Sequence, residues 1–201
     1  MKRLEDIIEG GISSIIPIYD EGGNSTKMIG VDGNICIDPR RVKTILRLIS
    51  QYYAVHIGAC RRKYGKMINQ RLGVPIVINS RLVLMPFKMR KPRFENDGAY
   101  GYVNFYDIKE VYEDEYHTKI VLNSGVEVLC MQRIRSVKKH MNDTRLIVQN
   151  IEKDELKREG KSFGKLYASR EGVATMEDLA RLYIELLEIK DLVRELKKKV
   201  N

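Results

Sequence analysis

A chain of 201 residues, 43% hydrophobic and 31% charged, can bury one sizeable core, which excludes disorder throughout and favours a domain of roughly 150 residues with an appendage. Three widely separated cysteines, Cys36, Cys60 and Cys130, with no CxxC and no histidine at ligand spacing, suggest neither a disulfide framework nor a zinc site and read as reduced, mostly buried thiols. The net charge of +9 favours anionic partners. The start of the chain, Met1-Lys2-Arg3-Leu4-Glu5-Asp6, turns acidic without the apolar run of a signal peptide. No stretch approaches the roughly 20 apolar residues that span a bilayer, so a cytoplasmic protein without a membrane partner is expected.

In chain order, residues 12–19 predict a strand that Pro17 should confine to a sheet edge, and Glu21-Gly22-Gly23-Asn24 predicts a turn. Residues 27–31 and 34–37 form a hairpin pattern joined at Asp32-Gly33, the dipeptide of a two-residue type I′ turn. Asp38-Pro39 suits a helix start, and Val42, Ile45, Leu46 and Ile49 share one face of a helix over about 39–53. Helical spacing returns in Ile57, Cys60, Tyr64, Met67, Ile68 and Leu72. Residues 74–78 and 81–85 predict a hairpin turning at Asn79-Ser80, followed by a basic loop over 86–93. A meander of three strands should follow: Tyr100 to Tyr112, Thr118 to Leu122, and Val126 to Cys130. A helix over 131–141 turns Ile134, Val137 and Met141 inward, with Arg133, Arg135, Lys138, Lys139 and His140 outward.

Residues 150–172 carry Gly160, Gly164 and Gly172 and no continuous apolar face, which predicts mostly linker with a helical piece near 151–158. Thr175-Met176-Glu177-Asp178 then resembles a capping box. Leu179, Leu182, Leu186, Ile189, Val193, Leu196 and Val200 follow at alternating spacings of three and four, the seam of a short coiled coil. Self-association into a homodimer or higher oligomer is the favoured reading. The alternative is a helix docked on its own domain, with Ile184, Leu187 and Leu192 widening the stripe. The whole predicts an α+β protein: a mainly antiparallel β core with two or three packed helices, plus a C-terminal coiled-coil-like helix. Its parts are a domain over 1–149, a charged linker over 150–174 and a heptad helix over 175–201.

Charge is unevenly spread. Residues 61–95 hold ten Lys and Arg against one acidic residue, an excess equal to the entire net charge. Cationic side chains on one surface bind nucleic acid by displacing counterions condensed on its phosphates. Arg61, Arg62, Lys63, Lys66 and Arg71 form one candidate cluster for double-stranded DNA; Lys88, Arg90, Lys91 and Arg93 form a second. Arg133, Arg135, Lys138 and Lys139 form a secondary phosphate-binding set. In Arg90-Lys91-Pro92-Arg93 the proline keeps the chain extended, and arginine suits the narrow minor groove of A·T-rich DNA. The plainer reading of each cluster is a solvated basic face. Tyr100, Tyr102, Phe105 and Tyr106 offer rings to unpaired bases, although alternating aromatics in a strand more often divide between core and surface.

Enzyme chemistry finds no support. His56, His117 and His140 are isolated, and GxSxG and HExxH are absent. Gly160-Lys161-Ser162-Phe163-Gly164-Lys165 falls one spacer short of a P-loop and lacks its Ser or Thr. No catalytic residue, metal or cofactor is assigned.

The order of elements over 39–142 resembles the competence transcription factor (ComK) family. The resemblance is carried by Pro39 at a helix start, paired Tyr52-Tyr53, Val74-Pro75-Ile76, Leu84-Met85-Pro86, Tyr100-Gly101-Tyr102-Val103 with Ile108, and Val121-Leu122-Asn123-Ser124-Gly125. It departs where the family has a Gly-Arg motif, replaced here by Gly58-Ala59-Cys60-Arg61, in a missing tryptophan, and in the heptad tail. The resemblance implies a mainly β transcriptional regulator acting as a dimer or larger assembly on A·T-rich promoter boxes through the minor groove, with turnover through a protease adaptor. Residues 102–145 also resemble the LytTR DNA-binding domains, whose loops enter the major groove. The competing expectation is an assembly factor whose basic surface meets an acidic protein.

Overall fold

The computed structural model describes residues 3–95, 97–114, 117–168, 182–186 and 189–190, with the side chains of 155–168 excepted. The chain divides into two units, Met1–Asp154 and Glu155–Asn201. The first is α+β, built on a six-stranded antiparallel sheet and a three-stranded one. No helix among the described residues is long and apolar enough to cross a membrane.

A short helix α1 (Leu4–Gly10) opens the fold, placing Leu4, Ile7 and Ile8 on one buried face. Its apolar residues fall at i, i+3 and i+4, a helical spacing legible in the sequence. Strands β1 (Ile12–Asp20), β2 (Gly23–Gly30) and β3 (Ile35–Asp38) follow. The β2–β3 connection corrects the type I′ expectation. Gly33 alone in that turn has positive φ, at 79°, and its amide bonds to the Gly30 carbonyl at 2.9 Å. This is the signature of a three-residue loop with glycine in the left-handed position.

The sheet order β3-β2-β1-β6-β5-β4 puts β1 at the centre, so Pro17 does not mark an edge. The pairing of β1 with β6 (Tyr100–Asn104) covers Ser14 and Ile15 and stops before Pro17, whose missing amide hydrogen therefore costs no ladder bond. Gly101 makes this approach possible. A Cβ there would lie 2.5 Å from the Ile15 carbonyl and 2.8 Å from Pro17 Cδ, and would overlap Met89 Sδ.

Helix α2 (Val42–Tyr52) begins three residues later than Asp38-Pro39 suggested. Asp38 does not cap it, because its carboxylate is held by Arg40 Nη2 at 2.6 Å and Nε at 2.7 Å. Arg40 donates first among the influences that lower the Asp38 pKa. Helix α3 (Ile57–Met67) is capped by His56 Nδ1, which accepts from the Ala59 amide at 3.0 Å. It stops short of Leu72, which is 88% exposed. Asn69 takes the left-handed conformation, and the Gln70 amide reaches back to the Gly65 carbonyl at 2.8 Å, closing the helix end.

Strands β4 (Ile76–Asn79) and β5 (Leu82–Lys88) form the expected hairpin, but β5 carries Pro86, Phe87 and Lys88 into the sheet, so the basic loop begins later than residue 86. Residues 100–112 are not one strand. A 3-10 turn at Phe105–Asp107 moves the chain from β6 into the second sheet, β7 (Ile108–Glu113), β8 (Thr118–Leu122) and β9 (Glu127–Cys130), which is the three-stranded meander.

Helix α4 runs over Ile134–Ala168, beyond the predicted end at Met141 and through much of the predicted linker. Its inward stripe continues from Val137 through Thr144, Ile147 and Val148. Ile134 is half-buried rather than fully inward, and His140 turns partly inward, edge-on to Phe87 with ring centres 6.0 Å apart.

Three cores result. One face of the large sheet packs on α1 and α2 through Ile15, Met28, Ile45, Ile49 and Leu84. The other packs on the meander and the start of α4 through Met85, Phe87, Val103, Ile120 and Val137. Helix α3 beside β4 packs on α4 through Tyr64, Val77, Ile147 and Val148. Cys36 and Cys130 are buried, Cys60 is half-buried, and all three are free.

In the second unit, residues 182–186 and 189–190 are helical. Leu182, Leu186 and Ile189 of the heptad seam are 48%, 57% and 58% exposed, and Ile184 is exposed as well. Leu179, Val193, Leu196, Val200 and the capping-box sequence lie outside the described residues.

Candidate nucleic-acid interface

Three adjoining hollows meet at Arg61. The first lies along α3 and is lined by Arg61, Arg62, Lys66, Asn69, Gln70 and Arg71. The second runs between α2 and α3, with Lys43, Arg47, Ser50 and His56 facing Arg61. The third opens onto the sheet and is lined by Arg61, Arg71, Leu72, Pro86, Tyr100 and Tyr102. No carboxylate lines any of them, and none of these cations joins an ion pair among the described residues.

Local sequence explains how these charges are presented. Helix α3 buries Tyr64 and Gly65 and leaves Arg61, Arg62 and Lys66 in solvent. Arg71 reaches the same surface because the chain doubles back at Asn69. Gly65 permits that reversal, since a Cβ there would sit 2.6 Å from the Gln70 carbonyl. Gln70 Nε2 then donates to Asp143 of α4 at 2.6 Å, fastening the loop. Arg61 is itself anchored, with Nη2 donating to the Tyr102 hydroxyl at 3.1 Å. Burial pushes the Tyr102 pKa up against the opposing pull of Arg61, so the partner is a neutral phenol and the guanidinium keeps its net charge.

The sequence-predicted cations therefore separate. Arg61, Arg62, Lys66 and Arg71 come together as expected. Lys63 is exposed, its ammonium 5.0 Å from the Tyr64 ring centre, and does not line the hollows. Lys88 pairs across the strands with Tyr100, on the sheet face that also carries Pro86 and Tyr102.

Arg90 is engaged within the fold. Its guanidinium donates to the Ile18 carbonyl at 2.7 Å, the Gly98 carbonyl at 2.8 Å and Asn24 Oδ1 at 2.6 Å, and stacks 4.1 Å from the Tyr19 ring centre. Such a guanidinium is a structural rivet for the 90–98 loop. Arg93 lies 4.6 Å from the same ring, and its amide donates to the Tyr19 hydroxyl. Lys91 remains exposed.

On α4 and just before it, Arg133, Arg135 and Lys138 are exposed but stand outside the three hollows, while Lys139 is tied to Asp143 at 2.9 Å. Two cations were missed. Lys43 and Arg47 are one helical turn apart on the exposed side of α2, a spacing visible in the sequence, but their position opposite α3 is tertiary information. Among the aromatics, Tyr102 is buried and Phe105 half-buried, while Tyr100 and Tyr106 are exposed. Among the described residues, no three of His, Cys, Asp and Glu gather as metal ligands.

Comparison with protein-family models, curated proteins and solved structures gives no match for this chain.

Proposed function

We propose that the protein is a DNA-binding regulator whose α2–α3 surface engages the phosphates of duplex DNA. The observation that carries this reading is the convergence of Lys43, Arg47, Arg61, Arg62, Lys66 and Arg71 around three adjoining hollows that no carboxylate among the described residues lines. Cations arranged this way, and joining no ion pair among the described residues, gain most from replacing the counterions of a polyanion. The regulatory role rests on the resemblance of 39–142 to the competence factors. A preference for A·T-rich promoter sites rested on the loop over 88–93; with Arg90 engaged internally, Lys88, Lys91 and Arg93 are the cations left to serve it. The second unit supplies assembly in this reading, because the apolar seam residues Leu182, Leu186 and Ile189 are exposed and a second copy of the helix would cover them.

Fluorescence anisotropy with A·T-rich and G·C-rich duplexes, at about 50 and about 200 mM salt, tests the proposal. Expected are a steep loss of affinity with salt and a further loss on combining Lys43→Ala with Arg47→Ala. Absence of binding to both duplexes would transfer the basic surface to an acidic protein partner. A preference for the A·T-rich duplex would support the minor-groove form of the reading.

A further inference from the structure

The third hollow differs from the other two in carrying tyrosine rings in its lining. Leu72 is 88% exposed, Tyr100 is 49% exposed, and Pro86 and the Tyr102 ring complete the wall beside Arg61 and Arg71. Phosphate binding by a duplex needs the two arginines and gains nothing from this apolar lining.

The exposure of Tyr100 has a structural origin. Strand β6 lies inside the sheet, its backbone paired with β1 on one side and β5 on the other, which leaves the covering of its faces to other elements. Here α1 and α2 pack over Ile15, Met28 and Leu84, and the sheet surface toward Tyr100 and Lys88 is left open. The wall is also rigid: Pro86 is in register with Tyr102 and Lys88 with Tyr100 on adjacent strands, and Arg61 is fastened to Tyr102. The cavity measures about 290 Å³, just under the roughly 300–1,000 Å³ of small-molecule sites, which suits one planar ring.

We propose that this hollow receives a single unpaired base of the bound strand, its ring against Tyr100 and Pro86 and its phosphate on Arg61 and Arg71. The inference rests on the nucleic-acid reading and deepens it, since the phosphate cations are shared. Aromatic walls bind bases by stacking with little regard to their identity. A base already outside the double helix costs least to insert. The favoured substrate is therefore DNA with an unpaired nucleotide, in preference to an uninterrupted duplex.

The test uses the full chain and two otherwise identical duplexes, one intact and one carrying a single bulged 2-aminopurine. Anisotropy should show the bulged duplex bound about tenfold tighter, with 2-aminopurine fluorescence quenched on binding. Tyr100→Ala should abolish both effects, while Tyr100→Phe should retain both. If the wild type binds the two duplexes equally, or the preference survives Tyr100→Ala, the base pocket is overturned and the phosphate surface stands. If neither duplex binds, the phosphate reading falls and the pocket with it.

Discussion

Arg61 Nη2 and the hydroxyl of Tyr102, on residues 41 positions apart, meet at 3.1 Å and join α3 to the interior of the large sheet. One guanidinium is thereby fixed where three cation-lined hollows adjoin. Replacing Arg61 by Ala should weaken duplex binding and reduce the dependence of log affinity on log salt by about one. Tyr102→Phe keeps the charge and loses the anchor, so affinity should fall less and the salt slope should not change. Salt titrations of both variants check this; an unaltered slope in Arg61→Ala would remove Arg61 from the phosphate contacts.

Arg90 should behave in the opposite way. Its partners Ile18, Asn24 and Gly98 belong to the fold, so Arg90→Ala should lower stability by about 2 kcal/mol through the loss of charge-assisted hydrogen bonds. The 90–98 loop should become sensitive to limited proteolysis, with DNA affinity of the folded protein preserved. Denaturant unfolding and anisotropy on the same preparation distinguish the two effects. Lost affinity at unchanged stability would restore Arg90 as a contact residue.

Gly65 ties backbone geometry to the site. In Gly65→Ala the new methyl would meet the Gln70 carbonyl, forcing a shift in the loop that carries Arg71. Overpacking of this kind costs about 1–3 kcal/mol, offset by about 1 kcal/mol of added helix propensity. The expected result is a modest net destabilisation with weaker DNA binding. Hydrogen exchange at the Gln70 amide, which bonds to the Gly65 carbonyl, reports the displacement directly.

His140 predicts a pH dependence. Burial lowers its pKa below the ordinary histidine range, with Lys139 adding to the effect and Asp143 opposing it. From neighbouring elements, Phe87 packs edge-on to the ring and Gly73 closes against it, and neither supplies a charge. A lowered folded-state pKa means that the unfolded chain binds the proton more readily. Stability from this group is present above the unfolded pKa near 6.5 and is lost as pH falls through the lower folded value. Unfolding measured from about pH 7.5 to 5 should show this acid loss, and His140→Gln should flatten it. An equally steep loss in the variant would assign it elsewhere.

Much of this architecture is legible along the chain. The β2–β3 and β4–β5 hairpins, the meander and the buried face of α2 follow from local periodicity and turn residues, which depend on neighbours a few positions away. So does the cluster Arg61, Arg62, Lys66 on the solvent side of α3. Legibility ends where long-range partners decide. Pro17 reads as an edge residue by its own chemistry, yet β1 is central because its pairing with β6 stops at Ile15 and Gly101 leaves room beside it. The break of 100–112 at Phe105–Asp107 likewise depends on two sheets competing for one aromatic run.

The charges show the same division. By itself the sequence determined that a basic excess lies in 61–95, that the core is α+β, and that 179–200 carries a heptad seam, because composition and periodicity are properties of neighbouring residues. Tertiary structure decided which cations face outward together. Arg90 was withdrawn by carbonyl and side-chain oxygens up to 72 positions away, whereas the pairing of Lys139 with Asp143 is a local contact one helical turn along α4. Lys43 and Arg47 were recruited because α2 packs beside α3. A guanidinium has the same charge in every sequence context, and whether that charge faces a ligand depends on the oxygens that folding brings within about 3 Å of it.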